Sequence, residues 1–174
     1  HEIFKNNFNN NNENKFKLSH TKLFVCHIDN LLKKKDRGDI EQKILPIFKV
    51  FHFFTGKDYF IDMYSKYLAK RLLKNNYDIE NEIVIIKHFK KEIDLNLIYK
   101  LENMINDIRN YEKNNYSIES DIKIKNKTKI LTSNYWPKYN NVKIIKRNGI
   151  TNFTKELNLF YDNKNNSKRL MWNN

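Results

Sequence analysis

Five histidines and one cysteine are the side chains from which this chain could assemble a metal site or an activated nucleophile: His1, His20, His27, His52, His88 and Cys26. No two of the histidines stand in an HxxxH or HExxH spacing, which would put two imidazoles on one face of a helix, and Cys26-His27 is adjacent rather than ligand-spaced. A thiol nucleophile needs a base brought against it. Nothing local to Cys26 supplies one, so the thiol reads as a small side chain buried in a helix. His52, inside the aromatic run Phe51-His52-Phe53-Phe54, reads as a residue of the helix surface or core edge, and His88, between Lys87 and Phe89, as part of a solvated face. Gly38, Gly56 and Gly149 are the only glycines, so no GxxxxGK[ST], GxGxxG or GxSxG element can be built. The acidic residues form no carboxylate pair at catalytic spacing. Residue chemistry therefore points away from an enzyme and implies neither cofactor nor metal.

What the chain offers instead is surface. It has 174 residues, enough for one domain or two small packed subdomains with a real core. Its 33 Lys and Arg against 20 Asp and Glu leave a formal charge of +13. That charge motivates a nucleic-acid-binding reading, which predicts steeply salt-dependent affinity. The composition argues against it: 29 Asn, 28 Lys and 21 Ile stand beside a single Ala, Ala69, a skew of the whole sequence rather than of a site. Lys outnumbers Arg 28 to 5, whereas base and phosphate recognition favours the planar Arg fork. One cysteine excludes a disulfide framework or a multi-cysteine zinc site. No apolar run approaches membrane-spanning length, no signal peptide is visible, and the chain begins with His rather than Met. These features are read as an intracellular fragment, at home in the cytoplasm or the nucleus.

The elements that would carry such a surface are mainly α, with a small α+β part: an antiparallel helical bundle followed by a small β-sheet subdomain. Residues 1–20 are expected to be a flexible, Asn-rich low-complexity segment, 21–112 the bundle, and 113–174 an α/β subdomain cut short at its C-terminal end. Helical periodicity runs from about Thr21 to Lys35 (Phe24, Ile28, Leu31, Leu32), Asp39 to Phe54 (Ile40, Ile44, Ile47, Phe48, Phe51, Phe54), Asp58 to Lys74, Asp78 to Glu92 and Leu95 to Asn110. Asp39 is expected to cap the second helix and Pro46 to kink it. In the third, Phe60, Met63, Tyr64, Tyr67, Leu68 and Leu72 form the buried stripe, while Asp62, Lys66 and Lys70 face water. Short loops predict that successive helices pack antiparallel. Strands are expected at Lys127–Ser133, Val142–Lys146 and Lys168–Trp172, with a short helix through Ile150, Phe153, Leu157, Phe160 and Tyr161. Trp136-Pro137 is expected to end a strand and shape the sheet.

The segment KDYFIDMYSKYLAKRLL, Lys57 to Leu73, resembles the hallmark KDxFxxxYxxxLAKRLL of the cullin homology region; Lys57, Asp58, Phe60, Tyr64, Leu68, Ala69, Lys70, Arg71, Leu72 and Leu73 all match. Upstream, FVCHIDNLLKKKDRG is similar to the family's Tyr-x-Asp-x-Leu-Leu helix with its lysine-rich end. Downstream, YKLENMINDIRN resembles SKLEGMFxDM, with Lys100, Leu101, Glu102, Met104 and Asp107 aligned. ILTSNYWPKY, Ile130 to Tyr139, resembles ILTxxYWPxY, and Phe160-Tyr161 and RLMW resemble later signatures. The resemblance covers about Leu23 to Trp172.

It implies a non-catalytic scaffold of a multi-subunit ubiquitin ligase, with Phe60, Tyr64, Leu68, Ala69 and Leu72 as its signature core. Such a scaffold holds a zinc-binding RING-box protein, which recruits a ubiquitin-conjugating enzyme, while a region N-terminal to this one holds substrate adaptors. The RING-box protein adds a strand to the α/β sheet, for which Ile130, Leu131, Thr132, Val142, Ile144, Leu170 and Trp172 are the candidate residues. Lys33, Lys34 and Lys35 are candidates for a basic groove that attracts an acidic conjugating-enzyme tail, beside the plainer role of complementing a helix C-terminus. A divergent cullin-like subunit of an anaphase-promoting ligase is the alternative.

Overall fold

In the computed structural model, residues 17–33, 39–114, 128–138, 148–164 and 168–172 are described. They contain six helices: α1 Lys17–Lys33, α2 Ile40–Phe51, α3 Lys57–Leu73, α4 Ile79–Phe89, α5 Leu95–Asn114 and α6 Asn148–Lys164. The chain divides into two units. The first comprises the described residues up to Glu112 together with Ile130–Pro137, and the second the described residues of Lys113–Lys129 and Lys138–Asn174.

Local signals set the helix ends. Asp39 accepts from the Glu41 amide at 2.9 Å, as an N-cap should. Asp78 caps α4 by accepting from the Glu80 and Asn81 amides at 3.0 and 3.1 Å. Gly56 precedes α3 with φ +76°, a left-handed conformation that costs an L side chain strain even where space is open. At the other end of α3, Asn75 adopts φ +54°, and its amide and that of Asn76 reach back to the Leu72 and Arg71 carbonyls at 3.4 and 3.0 Å. Asn tolerates the left-handed position that glycine usually takes in this motif. Lys57 Nζ donates to the Glu92 carbonyl and to Glu92 Oε2, both at 3.0 Å, and so ties the start of α3 to the turn after α4. Burial pushes the Glu92 carboxyl up, but Lys57 and then His52 Nδ1, at 3.1 Å, hold it below its usual value.

The first unit is built around aromatic rings. Phe24, Phe48, Phe51, Phe54, Phe60, Tyr64 and Phe89 form a contiguous cluster with centroids 4.7–6.4 Å apart. Ile28, Ile44, Leu68, Leu72, Ile85, Ile98, Leu101 and Met104 are fully buried beside them. As the stripe predicts, Asp62, Lys66 and Lys70 of α3 are exposed.

Several expectations are corrected. The closest helix pairs are alternate rather than successive: α1 packs on α3, and α2 on α4. Contacts between α1 and α3 advance together, from Phe24–Phe60 through Cys26–Tyr67 to Asp29–Arg71, so these two helices run in the same direction. Ring contacts occur between successive helices and between alternate ones alike, so a short loop does not by itself decide which backbones approach most closely. Helix α1 begins at Lys17, inside the stretch expected to be flexible, and α2 ends at Phe51. It continues through Pro46, whose side chain is exposed. Phe160 is exposed on α6, whereas Leu157 and Tyr161 are buried in the second unit.

No strand forms among the described residues. Residues 128–132 are irregular, 133–135 form a turn, and 168–172 are irregular. A strand exists only through a ladder partner, and local β-propensity does not supply one. Val142–Lys146 lies outside the described residues. Trp136-Pro137, assigned from the sequence to a strand end, belongs instead to the first unit, where Trp136 joins the helical core.

Candidate functional site

The signature helix α3 carries the family stripe inward: Phe60, Tyr64, Leu68, Ala69 and Leu72 are all fully buried. Arg71 lies on the same stripe, three residues past Leu68, and is buried as well. Its guanidinium donates from Nε and Nη2 to the two oxygens of Glu82 at 2.7 and 2.8 Å, and from Nη1 to Asp29 Oδ1 at 2.6 Å. Tyr64 Oη completes the group by donating to Glu82 Oε2 at 3.1 Å. Asp29 is also paired with Lys33 at the end of α1. Two acids and two bases thus balance in a network that joins α1, α3 and α4.

Fork-to-carboxylate pairing of this kind is the geometry in which Arg is least replaceable. Burial works against the Arg71 charge, but Tyr64, Glu82 and Asp29 together hold the guanidinium above its ordinary pKa. Burial first, then the Glu82 charge, pushes the Tyr64 phenol well up. The network ties α1, α3 and α4 together. Arg71, Asp29 and Glu82 received no role from the sequence. The available signal was a charged residue at a core position of three amphipathic helices.

A second constellation centres on Asp107 of α5. Its Oδ2 accepts from the Thr132 amide at 2.7 Å and from Trp136 Nε1 at 2.8 Å, and its Oδ1 accepts from Thr132 Oγ1 at 3.0 Å. The Tyr135 amide donates to the Thr132 carbonyl at 3.1 Å, closing the turn. Tyr135 sits edge-on to Tyr99, with centroids 5.6 Å apart, and Leu131 packs against the helical core. One carboxylate therefore holds the segment Ile130–Pro137 on the bundle. Asp107 had been aligned by resemblance but given no task.

The candidate docking residues fall as follows. Ile130 and Leu131 are half-buried and Thr132 is exposed, all in the first unit; Leu170 is half-buried and Trp172 exposed in the second. Trp172 Nε1 donates to Asn158 Oδ1 of α6 at 3.1 Å. Val142, Ile144, Lys34 and Lys35 lie outside the described residues. Lys33 is half-buried and engaged with Asp29, so its role in the structure is to close the buried network. Among the described residues there is no group of three or more metal-ligating side chains, and no helix is long and apolar enough to cross a membrane.

Cys26 is half-buried, and its Sγ lies 3.2 Å from Tyr67 Oη; this contact, then burial, pushes the Tyr67 phenol up to about 12. His52 is exposed, its Nδ1 3.1 Å from the Glu92 carboxylate. His88 is not on a solvated face: it is 9% exposed and stacks on Phe48 at 4.8 Å. Burial, then Lys91, lowers its pKa from 6.5, against the opposing pull of Glu41 3.8 Å away. The folded state therefore binds fewer protons here than the unfolded state. The His88 contribution to stability is complete above pH 6.5 and is lost as pH falls through the lowered folded-state value. Thermal melts across this range should show the midpoint falling with acid in the unmodified chain, and a shallower fall in His88→Phe. Equal slopes refute the assignment.

The family model for the cullin alpha solenoid domain matches residues 1–115, about two thirds of the chain. The chain belongs to the cullin family. It is 25% identical to Cullin-2 of Arabidopsis thaliana over 89% of its own length, and 28% identical to Cullin-4A of Homo sapiens over 86%. It is 30% identical to Cullin-3 of Schizosaccharomyces pombe over 83%. It spans 20–23% of the length of these curated relatives. In this cullin the hallmark helix is thus both the family signature and the physical centre of the bundle.

Proposed function

We infer that this cullin is part of the scaffold of a cullin–RING ubiquitin ligase. Its helical unit is the platform, and the residues from Ile130 onward dock a RING-box zinc protein, which brings the conjugating enzyme. The cullin itself makes and breaks no bond; it raises the encounter rate between donor ubiquitin and a substrate lysine by proximity. Substrate adaptors attach through a region outside this chain, and the complex works in the cytoplasm or nucleus.

The observation that carries this reading is the intact signature helix, with all five of its core residues fully buried in a chain of this family. On this reading the sheet forms when the partner contributes its strand, as β-augmentation requires. Ile130, Leu131, Val142, Ile144, Leu170 and Trp172 are its proposed residues, and Lys34 and Lys35 are proposed to attract an acidic conjugating-enzyme tail.

Co-expression with a RING-box protein, followed by size-exclusion chromatography, tests it. Co-elution is expected, with loss when the partner's N-terminal strand is deleted or when Leu131 or Ile144 becomes proline. A folded chain that ignores the RING-box protein refutes the reading and favours a divergent role such as that in an anaphase-promoting ligase.

A further inference from the structure

The sequence presents Ile130, Leu131 and Thr132 as equivalent positions of one docking strand. The structure makes Thr132 different from the other two. A backbone amide has a single hydrogen to donate, and a strand ladder on one edge takes that of every second residue, here Ile130 and Thr132. The Thr132 amide is already donated to Asp107 Oδ2 at 2.7 Å, and its carbonyl accepts from Tyr135. The hydroxyl adds a second bond to the same carboxylate, and Trp136 Nε1 a third contact four residues on. Hydrogen bonds to an ionised carboxylate are stronger than neutral ones, and the Trp136 ring is 9% exposed.

We propose that Asp107 is a positioning residue for partner docking: its carboxylate anchors Thr132 and Trp136 to α5 and ends the docking strand at Leu131. The proposal rests on the scaffold reading above and sharpens it, because it fixes where strand addition must stop. A partner's strand that takes the Ile130 amide meets, as the next amide on the same edge, that of Thr132, which Asp107 already holds, and the chain then turns onto the bundle. The stop is a matter of donors, not of β-propensity, since threonine is itself a good strand residue.

Amide exchange and fluorescence test it in the chain as it stands. In the free unmodified chain the Thr132 amide exchanges slowly. Addition of a RING-box protein slows Ile130, whose amide shares an edge with that of Thr132, and leaves Thr132 unchanged. In Asp107→Asn, one acceptor oxygen becomes a donor, so Thr132 exchanges about tenfold faster or more in the free chain. Trp136 emission, read in a Trp172→Phe background where it is the only tryptophan, moves to the red. RING-box affinity, measured without that background change, falls about tenfold. Trp136→Phe, which keeps the ring and loses the N–H, shows a smaller loss in the same direction.

Unchanged Thr132 exchange and Trp136 emission in Asp107→Asn refute the anchor. A loosened segment with undiminished affinity refutes the positioning role. New protection of Thr132 in the unmodified complex refutes the strand stop. Failure of the unmodified chain to bind overturns the scaffold reading and the docking role together, while the free-chain exchange still judges the anchor by itself.

Discussion

Arg71→Met is expected to destabilise the helical unit by about 3–5 kcal/mol, the cost of removing one partner from a buried ion pair. The charge is fully enclosed: Arg71 is 1% exposed, Glu82 0% and Asp29 2%. Solvent therefore cannot take over the carboxylates that lose their guanidinium. Lys33 still neutralises Asp29 from the helix end, but Glu82 retains only the Tyr64 hydroxyl. Arg71→Lys keeps the charge and loses the two-pronged pairing with Glu82, and should cost less than Met but remain clearly destabilising.

The decisive measurement is a double-mutant cycle with Glu82→Gln by urea denaturation. The double variant should be less damaged than the sum of the two single variants, because removing both charges leaves no unpaired charge in the core. A cost below about 1 kcal/mol for Arg71→Met, or strict additivity, contradicts the network as described.

Phe89→Ala is the second large effect, at about 3–5 kcal/mol. The ring of Phe89 meets Phe48 at 5.2 Å, Phe51 at 5.6 Å, Phe60 at 5.3 Å and Tyr64 at 4.9 Å, so it touches α2 and α3 at once. Its removal leaves a cavity between rings that cannot all move inward together. Domains of this size are stable by only about 5–15 kcal/mol, so the variant is marginal at best. Leu95→Ala is the control: the same class of truncation at a side chain 66% exposed should change stability by no more than about 0.5 kcal/mol. Comparable losses in the two variants would mean that the aromatic cluster is not the core.

The helices were legible because helix formation is local. Periodicity placed six of them, Asp39 and Asp78 marked two starts, and the stripe from Phe60 to Leu72 correctly named the buried face of α3. His88 was misplaced because a histidine next to Lys87 carries no sign of burial by itself, and its burial depends on Phe48, forty residues away, coming to lie against it. The strands were over-read for the complementary reason. A β-rich run such as KILTS has the right residue types, but its fate depends on what it meets, and Asp107 met Thr132 before any strand did.

The amino-acid sequence by itself determined the helical elements, the Asp39 cap, the apolar stripes and the family hallmark, all of which depend on residues within a few turns of one another. Tertiary structure alone decided that alternate helices make the closest pairs, that Arg71 binds acids 11 and 42 residues away, and that Asp107 holds a segment 25 to 29 residues further on. A charge or hydrogen-bond donor on a helix announces that it needs a partner, but which partner it finds depends on how the helices pack.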